Sequence, residues 1–212
     1  MMKIERITEG KGYSKRCTIS FQHGGRMTVE PSVVAQFCLY PGKELTAEQY
    51  EEIRIADGKA SAKARAVRML AYSNLSEQQL RRKLKQKGET EENTEETIEW
   101  LDDLKLIDDE QVAKQAVRIA LAKGYGKHRI RSILYEKGIV KDLADELLED
   151  LPEPDEAIER FIEKRLKGRV ADQKETKRTV DALMRRGHNW SDIKLAMSRY
   201  ADSLDDYLEE QE

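Results

Sequence analysis

The sequence predicts a mainly α-helical chain: three tandem three-helix bundles in an elongated row, preceded by a small N-terminal antiparallel β element. Two observations predict the helical part. The motif LKQKG at residues 84–88 returns as LYEKG at 134–138 and as LMRRG at 183–187, 50 and 49 residues later. Such a period accommodates three short helices. Blocks of basic and acidic residues alternate with the same period. A third observation, short β-branched segments separated by glycines, predicts the sheet.

The N-terminal β element is assigned to residues 1–58. The segments KIERIT, KRCTISF and RMTVE are typical of strands. Thr46 and Gln49 form a capping-box pair, which predicts a short helix leading from Thr46 into the first repeat. Because a sheet of this size is marginally stable alone, we expect it to pack on a short helix near residues 31–39 or on a partner.

The first three-helix repeat covers residues 59–107. Its middle helix begins after Ser76, a good N-cap residue with Gln79 at the capping-box position. Leu80 and Leu84 fall on one face of this helix, and basic residues fill the others. Gly88 ends the helix, because glycine takes the left-handed conformation past a helix end that residues with a Cβ resist.

The second repeat covers residues 108–152 and has equivalents of these residues at an offset of 50. Gly126 takes the N-cap position. Ile130 and Leu134 form the buried face of the middle helix, and Gly138 ends it. Since this pattern survives the replacement of nearly every polar residue, we interpret it as structural.

The third repeat covers residues 153–212 and follows a proline-containing linker. Its pattern is looser than that of the other two. Val180, Leu183 and Met184 supply the apolar face of its middle helix. Glu175 is a weak N-cap for this helix, and Gly187 ends it.

Composition restricts the class of protein. With 37% charged and 6% aromatic residues, the 212-residue chain suits a row of small helical units better than one large core. Only two cysteines are present, without paired spacing, and the N-terminal residues lack an apolar signal-peptide core. The longest nearly apolar run is far shorter than the ~20 residues that span a bilayer. We therefore expect a cytoplasmic protein without disulfides or membrane segments.

The net charge of −3 conceals alternating blocks. Residues 59–88 carry nine basic and one acidic side chain, and residues 89–110 carry one and eleven. The alternation returns further along the chain. Residues 111–141 carry eight basic side chains and one acidic side chain, and residues 142–159 carry no basic and nine acidic side chains. Such blocks are usually solvated helix faces, but their agreement with the repeat favours a binding role. A chain that bears both signs suits a target that is itself a protein lying on nucleic acid.

No motif indicates catalysis. His23, His128 and His188 have no cysteine or carboxylate at metal-ligand spacing. The glycine-containing segments GKGYSK at residues 10–15 and GYGKH at 124–128 lack the order of a phosphate-binding loop. The sequence therefore predicts a binding protein that is not an enzyme and that uses neither a cofactor nor a metal.

The candidate binding residues are basic side chains of the three middle helices. They are Lys127, Arg129, Arg131, Arg81, Arg82, Lys83, Arg185 and Arg186. Such side chains neutralise phosphates, but acidic blocks interrupt the basic ones along the chain. We therefore expect weak nucleic-acid binding that depends strongly on salt and little on base sequence.

Three segments carry a family resemblance: LSEQQLRRKLKQKG at residues 75–88, LIDDEQVAKQAVRIALAKGYGKHRIRSILYEKGI at 106–139 and LMRRGHNWSDI at 183–193. With these segments in this order, the chain resembles the RecX family of RecA recombinase regulators. The resemblance implies three tandem three-helix bundles that sit in the groove of the RecA filament. It also implies that the protein lowers the ATPase and strand-exchange activities of the recombinase and alters its co-protease function in the SOS response. In the matching GKHRIR segment, it favours Lys127, Arg129 and Arg131 as the functional residues.

Three hypotheses stay open, in this order. The first is a monomeric modulator of the recombinase filament, acting in DNA repair and homologous recombination. The second is a tandem helical protein that binds single- or double-stranded DNA without sequence preference and affects the recombinase only indirectly. The third is a scaffold. Binding to the bare recombinase, to bare single-stranded DNA and to the filament distinguishes these hypotheses.

Overall fold

The computed structural model describes residues 1–10, 15–167 and 170–200. Within these ranges the chain forms four strands and ten helices. In chain order they are β1 (Met2–Glu9), β2 (Cys17–Phe21), β3 (Arg26–Val29), α1 (Pro31–Gln36), β4 (Glu44–Leu45), α2 (Ala47–Tyr72), α3 (Glu77–Gln86), α4 (Glu91–Asp103), α5 (Asp109–Ala122), α6 (Lys127–Lys137), α7 (Lys141–Glu149), α8 (Asp155–Leu166), α9 (Gln173–Arg185) and α10 (Trp190–Met197). A mainly α-helical chain with a small N-terminal antiparallel sheet is confirmed. The chain divides into two compact units, Met1–Ile107 and Asp108–Glu212.

The N-terminal sheet is antiparallel, with the strand order β3-β2-β1-β4. The three strands expected from the sequence pair consecutively, and the two-residue β4 adds a fourth beside the start of β1. The sheet shares its core with α1 and with the first part of α2. This core includes Ile4, Ile19, Val29, Val33 and Ile53. The expectation that the sheet packs on a short helix within residues 31–39 is therefore confirmed.

Helix α2 is longer than the sequence predicted. Its capping box is confirmed, because Thr46 Oγ1 accepts from the backbone N of Gln49 and Gln49 Oε1 accepts from the backbone N of Thr46. The helix then continues for 26 residues and provides the first helix of repeat 1, so the expected short helix is wrong in its extent. Gly58 weakens a helix by only about 1 kcal/mol relative to alanine, which packing on the sheet and on repeat 1 outweighs. The boundary drawn after residue 58 lies inside this helix.

A partly buried ion pair fastens the sheet to α2. The guanidinium of Arg16 donates to Asp57 Oδ2 over 2.6 Å and to the carbonyl of Thr28 in β3 over 2.7 Å. It also donates to Ser61 Oγ, one turn further along α2, over 3.0 Å. The other carboxylate oxygen of Asp57 accepts from the backbone N of Glu30 over 2.7 Å. One arginine thus satisfies groups on the sheet and on the helix together.

Repeat 1 consists of the second half of α2 with α3 and α4. Its core contains Leu80 and Leu84, as predicted, together with Leu101 from α4. The capping box at the start of α3 is confirmed, since Ser76 Oγ accepts from the backbone N of Gln79 over 3.2 Å and the Gln79 side chain accepts from the backbone N of Ser76.

Repeat 2 consists of α5, α6 and α7. Ile130 and Leu134 on α6 are fully buried, as predicted. Gly126 is the N-cap of α6, and Gly138 ends it in the left-handed conformation with φ 75°. Because both caps are glycines, α6 has no capping side chain at either end.

Repeat 3 consists of α8, α9 and α10. Val180 and Leu183 on α9 are fully buried as predicted, but Met184 is 47% exposed and does not belong to the apolar face. The N-cap of α9 is Asp172, whose Oδ1 accepts from the backbone N of Glu175 over 2.7 Å. The assignment of Glu175 as the cap is therefore wrong, because the shorter aspartate lies three positions earlier, where its carboxylate reaches the backbone N–H of Glu175 in the first turn.

Residues 11–14 of the GKGYSK segment and residues 201–212 of the third repeat lie outside the described residues. Within the ranges that are described, no helix combines the length and the apolar character needed to cross a bilayer. Over the same residues, no three histidine, cysteine or carboxylate side chains lie close enough together to hold a metal ion.

Candidate functional site

In repeat 1 the basic helices and the acidic helix neutralise each other. Lys59 and Lys63 on α2 both pair with Glu96 on α4, over 2.6 and 3.1 Å. Their hydrogen bonds, with that of Lys59 the stronger, hold the pKa of Glu96 below its usual value. Arg65 pairs with Glu89 over 2.8 Å. Part of the alternating charge of this repeat is therefore paired within the repeat itself.

Of the predicted site residues in repeat 1, Arg81 is also used internally. It is partly buried on α3, where it pairs with Glu77 over 2.7 Å and with Glu95 on α4. The hydrogen bond that it donates to Glu95 is the main cause that raises the pKa of Arg81. Arg82 and Lys83 are exposed instead. The three neighbours in sequence therefore differ in role, because Arg82 and Lys83 face solvent and Arg81 does not.

In repeat 2 the predicted basic residues of α6 are exposed. Ile130 is buried, whereas its neighbours along the helix, Lys127, Arg129 and Arg131, are exposed. Arg129 lies 3.7 Å from Glu136, and Arg131 lies 3.4 Å from Asp145. Ion pairs that are this long and this exposed contribute little to stability, so a stronger anionic partner replaces them at small cost.

The start of α6 is bound by the end of α9, across the boundary between repeats 2 and 3. The backbone N of Gly126 donates to the carbonyl of Arg186 over 2.9 Å, and the backbone N of His128 donates to the carbonyl of Gly187 over 3.1 Å. The first N–H groups of one helix thus satisfy the last carbonyls of another, and their helix dipoles are complementary. We call this contact the seam.

Arg186 completes the seam with its side chain. Its Nη1 donates to the carbonyl of Lys123 at the end of α5 over 2.6 Å. Its guanidinium lies 4.7 Å from the ring centre of Phe161 and 5.9 Å from that of Tyr125. A cation at a helix C-terminus and over aromatic rings is stabilising. Arg186, a predicted binding residue, therefore has an internal role, whereas its neighbour Arg185 is exposed.

His188 is buried in the seam, with 3% of its surface exposed. Its Nε2 lies 3.1 Å from the carbonyl of Gly124. Because a carbonyl only accepts, Nε2 carries the proton in the neutral ring. Burial lowers the pKa of His188, against the opposing effects of the Gly124 hydrogen bond and Asp192. The imidazole is therefore neutral at pH 7.

A cleft of about 640 Å³ borders the seam within the second unit. Lys127 and Arg160 contribute positive charge to its wall, but carboxylates outnumber them, namely those of Glu149, Glu153, Asp155, Glu156 and Asp192. A mainly acidic lining repels phosphates. An anionic partner is therefore better served by the exposed cations on the outer surface of α6 and at the end of α9.

The structure thus brings together residues that belong to separate patches in the sequence. The backbone of Arg129 lies beside Gly187, and Gly126, which precedes Lys127, is hydrogen-bonded to the carbonyl of Arg186. Arg82 and Lys83 belong to the other compact unit. Gly126 and Gly187 permit this grouping, but their local sequence pattern indicates only helix ends, so the sequence carries no signal that could have found it.

Two family models match the chain. The model of the first three-helix domain of RecX matches residues 62–101, and the model of the second three-helix domain of RecX matches residues 108–148. Regulatory protein RecX of Vibrio campbellii is 32% identical over 140 residues, which are 65% of this chain and 90% of that protein. Regulatory protein RecX of Limosilactobacillus reuteri is 32% identical over 198 residues, 90% of this chain and 74% of that protein. The chain belongs to the RecX family.

Solved RecX structures have the same fold. A crystal structure of regulatory protein RecX is 26% identical, with a TM-score of 0.65, over 93% of this chain and all of that one. RecX from Lactobacillus salivarius is 22% identical, with a TM-score of 0.60 over 68% of this chain and 97% of that one, and supports the fold alone. In this RecX-family chain, α6 lies within the second matched domain, while α9 and the rest of repeat 3 lie outside both matched ranges.

Proposed function

We propose that this chain is a non-enzymatic, monomeric regulator in the cytoplasm that binds the RecA recombinase filament in its groove. There it lowers the ATPase and strand-exchange activities and alters the co-protease activity of the SOS response. Membership of a family of regulatory proteins supports this proposal. The observation that carries it is the exposed basic surface of α6, formed by Lys127, Arg129 and Arg131.

The surface of α6 suits this role because little of its charge is committed to the fold. In repeat 1, ion pairs connect the cations of α2 and α3 to α4 and to the turn before it. Around α6, the two pairs described above are long and exposed. In addition, α6 has no acidic residue in its first turn, unlike α5 and α7 beside it. Its N-terminal half therefore presents positive charge to a phosphate backbone or to an acidic protein surface.

Charge reversal tests the proposal. The variant Lys127→Glu, Arg129→Glu, Arg131→Glu should keep its fold, since all three side chains are exposed. We expect it to lose most of its inhibition of the ATPase of RecA filaments on single-stranded DNA, with the inhibitory concentration rising at least about tenfold. Circular dichroism confirms folding, and ATP hydrolysis is measured against the concentration of the regulator.

The chain offers a matched control in repeat 1. Arg82→Glu, Lys83→Glu, Lys87→Glu makes the same change of charge at exposed positions around α3 and leaves the ion pairs of Arg81 intact. We expect this control to inhibit more strongly than the α6 variant. Wild-type inhibition by a folded α6 variant at moderate salt would exclude α6 as the functional surface.

The second candidate function is sequence-independent binding of single- or double-stranded DNA, with an indirect effect on the recombinase. The exposed arginines and lysine of α6 favour it as well, because phosphates are their simplest partners. Titration of the protein against bare recombinase, bare DNA and the filament separates the two functions. Binding to the filament that exceeds binding to either component supports the regulator, and equal affinity for bare DNA and filament supports the alternative.

A further inference from the structure

We propose that repeats 2 and 3 bind the phosphate backbone of a nucleic-acid strand through one composite site. Lys127 and Arg129 of α6 and Arg185 of α9 are its contact residues. Gly126, Arg186 and Gly187 are positioning residues that hold the two halves together. This inference rests on the proposed function and specifies how the surface of α6 is completed.

The first observation is that α6 does not cap its own N-terminus. At the equivalent position of repeat 1, the hydroxyl of Ser76 accepts from a backbone N–H of the first turn. Gly126 has no side chain for this purpose, and the carbonyl of Gly187 accepts from the backbone N of His128 instead. Repeat 3 therefore supplies the N-terminal cap of the helix that carries Lys127 and Arg129.

The second observation is that the seam requires glycine on both sides. A Cβ at Gly126 would lie 2.6 Å from the backbone N of His188, and closer still to the carbonyl of Gly187. A Cβ at Gly187 would lie 2.6 Å from the Cβ of Arg129. Contacts this short between rigid backbone atoms force the two elements apart. Gly88, at the equivalent end of α3, has the same φ of 84°, yet a Cβ there meets nothing within 4 Å.

The third observation is that the side chains of repeat 3 complete the ends of repeat 2. Arg186 and His188 reach the carbonyls of Lys123 and Gly124, the two residues that follow α5. These two contacts, with the two backbone hydrogen bonds of the seam, fix the end of α9 against both helices that flank residues 123–126. Arg185, the exposed neighbour of Arg186, is thereby held beside α6.

A composite site follows from this geometry. Lys127 and Arg129 lie on one side of the seam and Arg185 on the other. They are joined through backbone contacts of Gly126 and Gly187 rather than through a flexible linker. Two weak groups of cations held at a fixed spacing bind one strand more strongly than the same groups held loosely, because less conformational freedom is lost when both groups engage the strand. Opening the seam removes this advantage without removing any charge.

Gly126→Ser is the most direct test. The backbone of Gly126, at φ −83° and ψ 172°, is open to any residue, and serine is a better N-cap than glycine. The substitution thus favours an isolated α6 while its Cβ opens the seam. We expect at least a tenfold loss of affinity for a fluorescent dT oligonucleotide at low salt, measured by anisotropy, with full helicity by circular dichroism. The slope of log K against log salt should decrease by about 0.7 for each phosphate that the variant no longer neutralises.

Gly187→Ala and Gly88→Ala form a matched pair. Both place a Cβ at a φ of 84°, but only the first meets repeat 2. We expect Gly187→Ala to reproduce the weaker affinity and the smaller salt slope, and Gly88→Ala to retain both wild-type values. Arg185→Ala should weaken binding in the wild-type background and have no further effect in Gly126→Ser, as expected for a contact residue that the open seam has already separated from α6.

The inference is overturned if folded Gly126→Ser and Gly187→Ala bind the oligonucleotide as wild type does, or if Gly88→Ala loses as much affinity as they do. Loss of filament binding with unchanged oligonucleotide binding would overturn the phosphate assignment in favour of an acidic protein surface. Failure here is distinct from failure of the proposed function. If the seam variants inhibit the recombinase fully and the α6 charge-reversal variant does not, the composite site is refuted and the proposed function is retained.

Discussion

At the scale of single residues, neighbouring cations have different roles. Arg81 is paired with two carboxylates, while Arg82 next to it faces solvent. Arg186 is bound to a helix end and to two rings, while Arg185 next to it is exposed. Consecutive residues of a helix point about 100° apart, so adjacent basic residues meet different surroundings. A basic dipeptide in the sequence therefore identifies one available cation in each of these cases.

His188 gives the seam a dependence on pH. Its pKa is lowered by burial, with Arg186 adding to this effect and Asp192 opposing it. The unfolded chain therefore binds a proton more readily than the folded one. The stability that this group contributes is complete above the ordinary histidine pKa of about 6.5 and is lost as the pH falls through the lower folded value.

We therefore expect the thermal midpoint of the protein to fall between pH 7 and pH 5 by more than it falls in His188→Gln. Glutamine keeps an N–H donor for the carbonyl of Gly124 and does not titrate in this range. Differential scanning calorimetry of both proteins at several pH values provides the measurement. Identical pH profiles would show that His188 does not contribute to the pH dependence.

At the scale of elements, glycine ends α3 and α6 in the same way. Gly88 and Gly138 have φ values of 84° and 75°. Each follows the last turn of a basic middle helix, where a left-handed residue lets backbone N–H groups satisfy the final carbonyls. The repeat in the sequence is therefore a repeat of helix ends, and this explains why the glycine persists while the polar residues vary.

Substitution of these helix ends has a predictable cost. Gly88→Val and Gly138→Val should each lose about 1 kcal/mol or more of unfolding free energy, because a β-branched residue resists positive φ. Urea denaturation followed by circular dichroism measures the loss. Gly88→Asn is the control, since asparagine tolerates this conformation best among residues with a Cβ. Wild-type stability of both valine variants would mean that positive φ is not required at these positions.

At the scale of the whole molecule, the net charge of −3 is the sum of many basic and acidic residues. These residues form different ion pairs in different repeats. In repeat 1 they form ion pairs between helices, whereas around α6 they remain on the surface. The same alternating pattern in the sequence therefore stabilises one bundle and leaves another with an available basic face. The charge pattern alone does not distinguish these two uses.

From this distribution we expect weak binding to bare DNA with a strong dependence on salt and little preference for sequence. Cations that contact phosphates release counterions, which gives log K a negative slope against log salt, whereas specificity requires contacts with bases. Anisotropy titrations of several unrelated duplexes from low to physiological salt test this. High affinity for a single duplex that persists in high salt would contradict it and indicate base readout.

The middle helices, their buried residues apart from Met184, and the capping boxes at Ser76 and Thr46 could be predicted from the amino-acid sequence. These features follow from local rules: the helical period, side chains that bond their own backbone, and glycine at helix ends. The motifs also sufficed to identify the RecX family. Exposure of Arg129 and Arg131 followed from the same helical period once Ile130 was placed inside, because each points about 100° away from Ile130. Lys127 lies three residues before Ile130, near the same face, and only the structure shows that it is exposed at the start of α6.

Which cations are available and which are internal depends on the folded chain. The partners of Arg81 are 4 and 14 residues away, but the partner carbonyl of Arg186 is 63 residues away. The role of Gly126 and Gly187 at the seam likewise depends on two helix ends that meet only after both repeats have folded. Contacts between distant segments leave no periodic signal, because each segment alone is consistent with its local pattern. A glycine that permits a close approach between helices is therefore indistinguishable in the sequence from any other helix end.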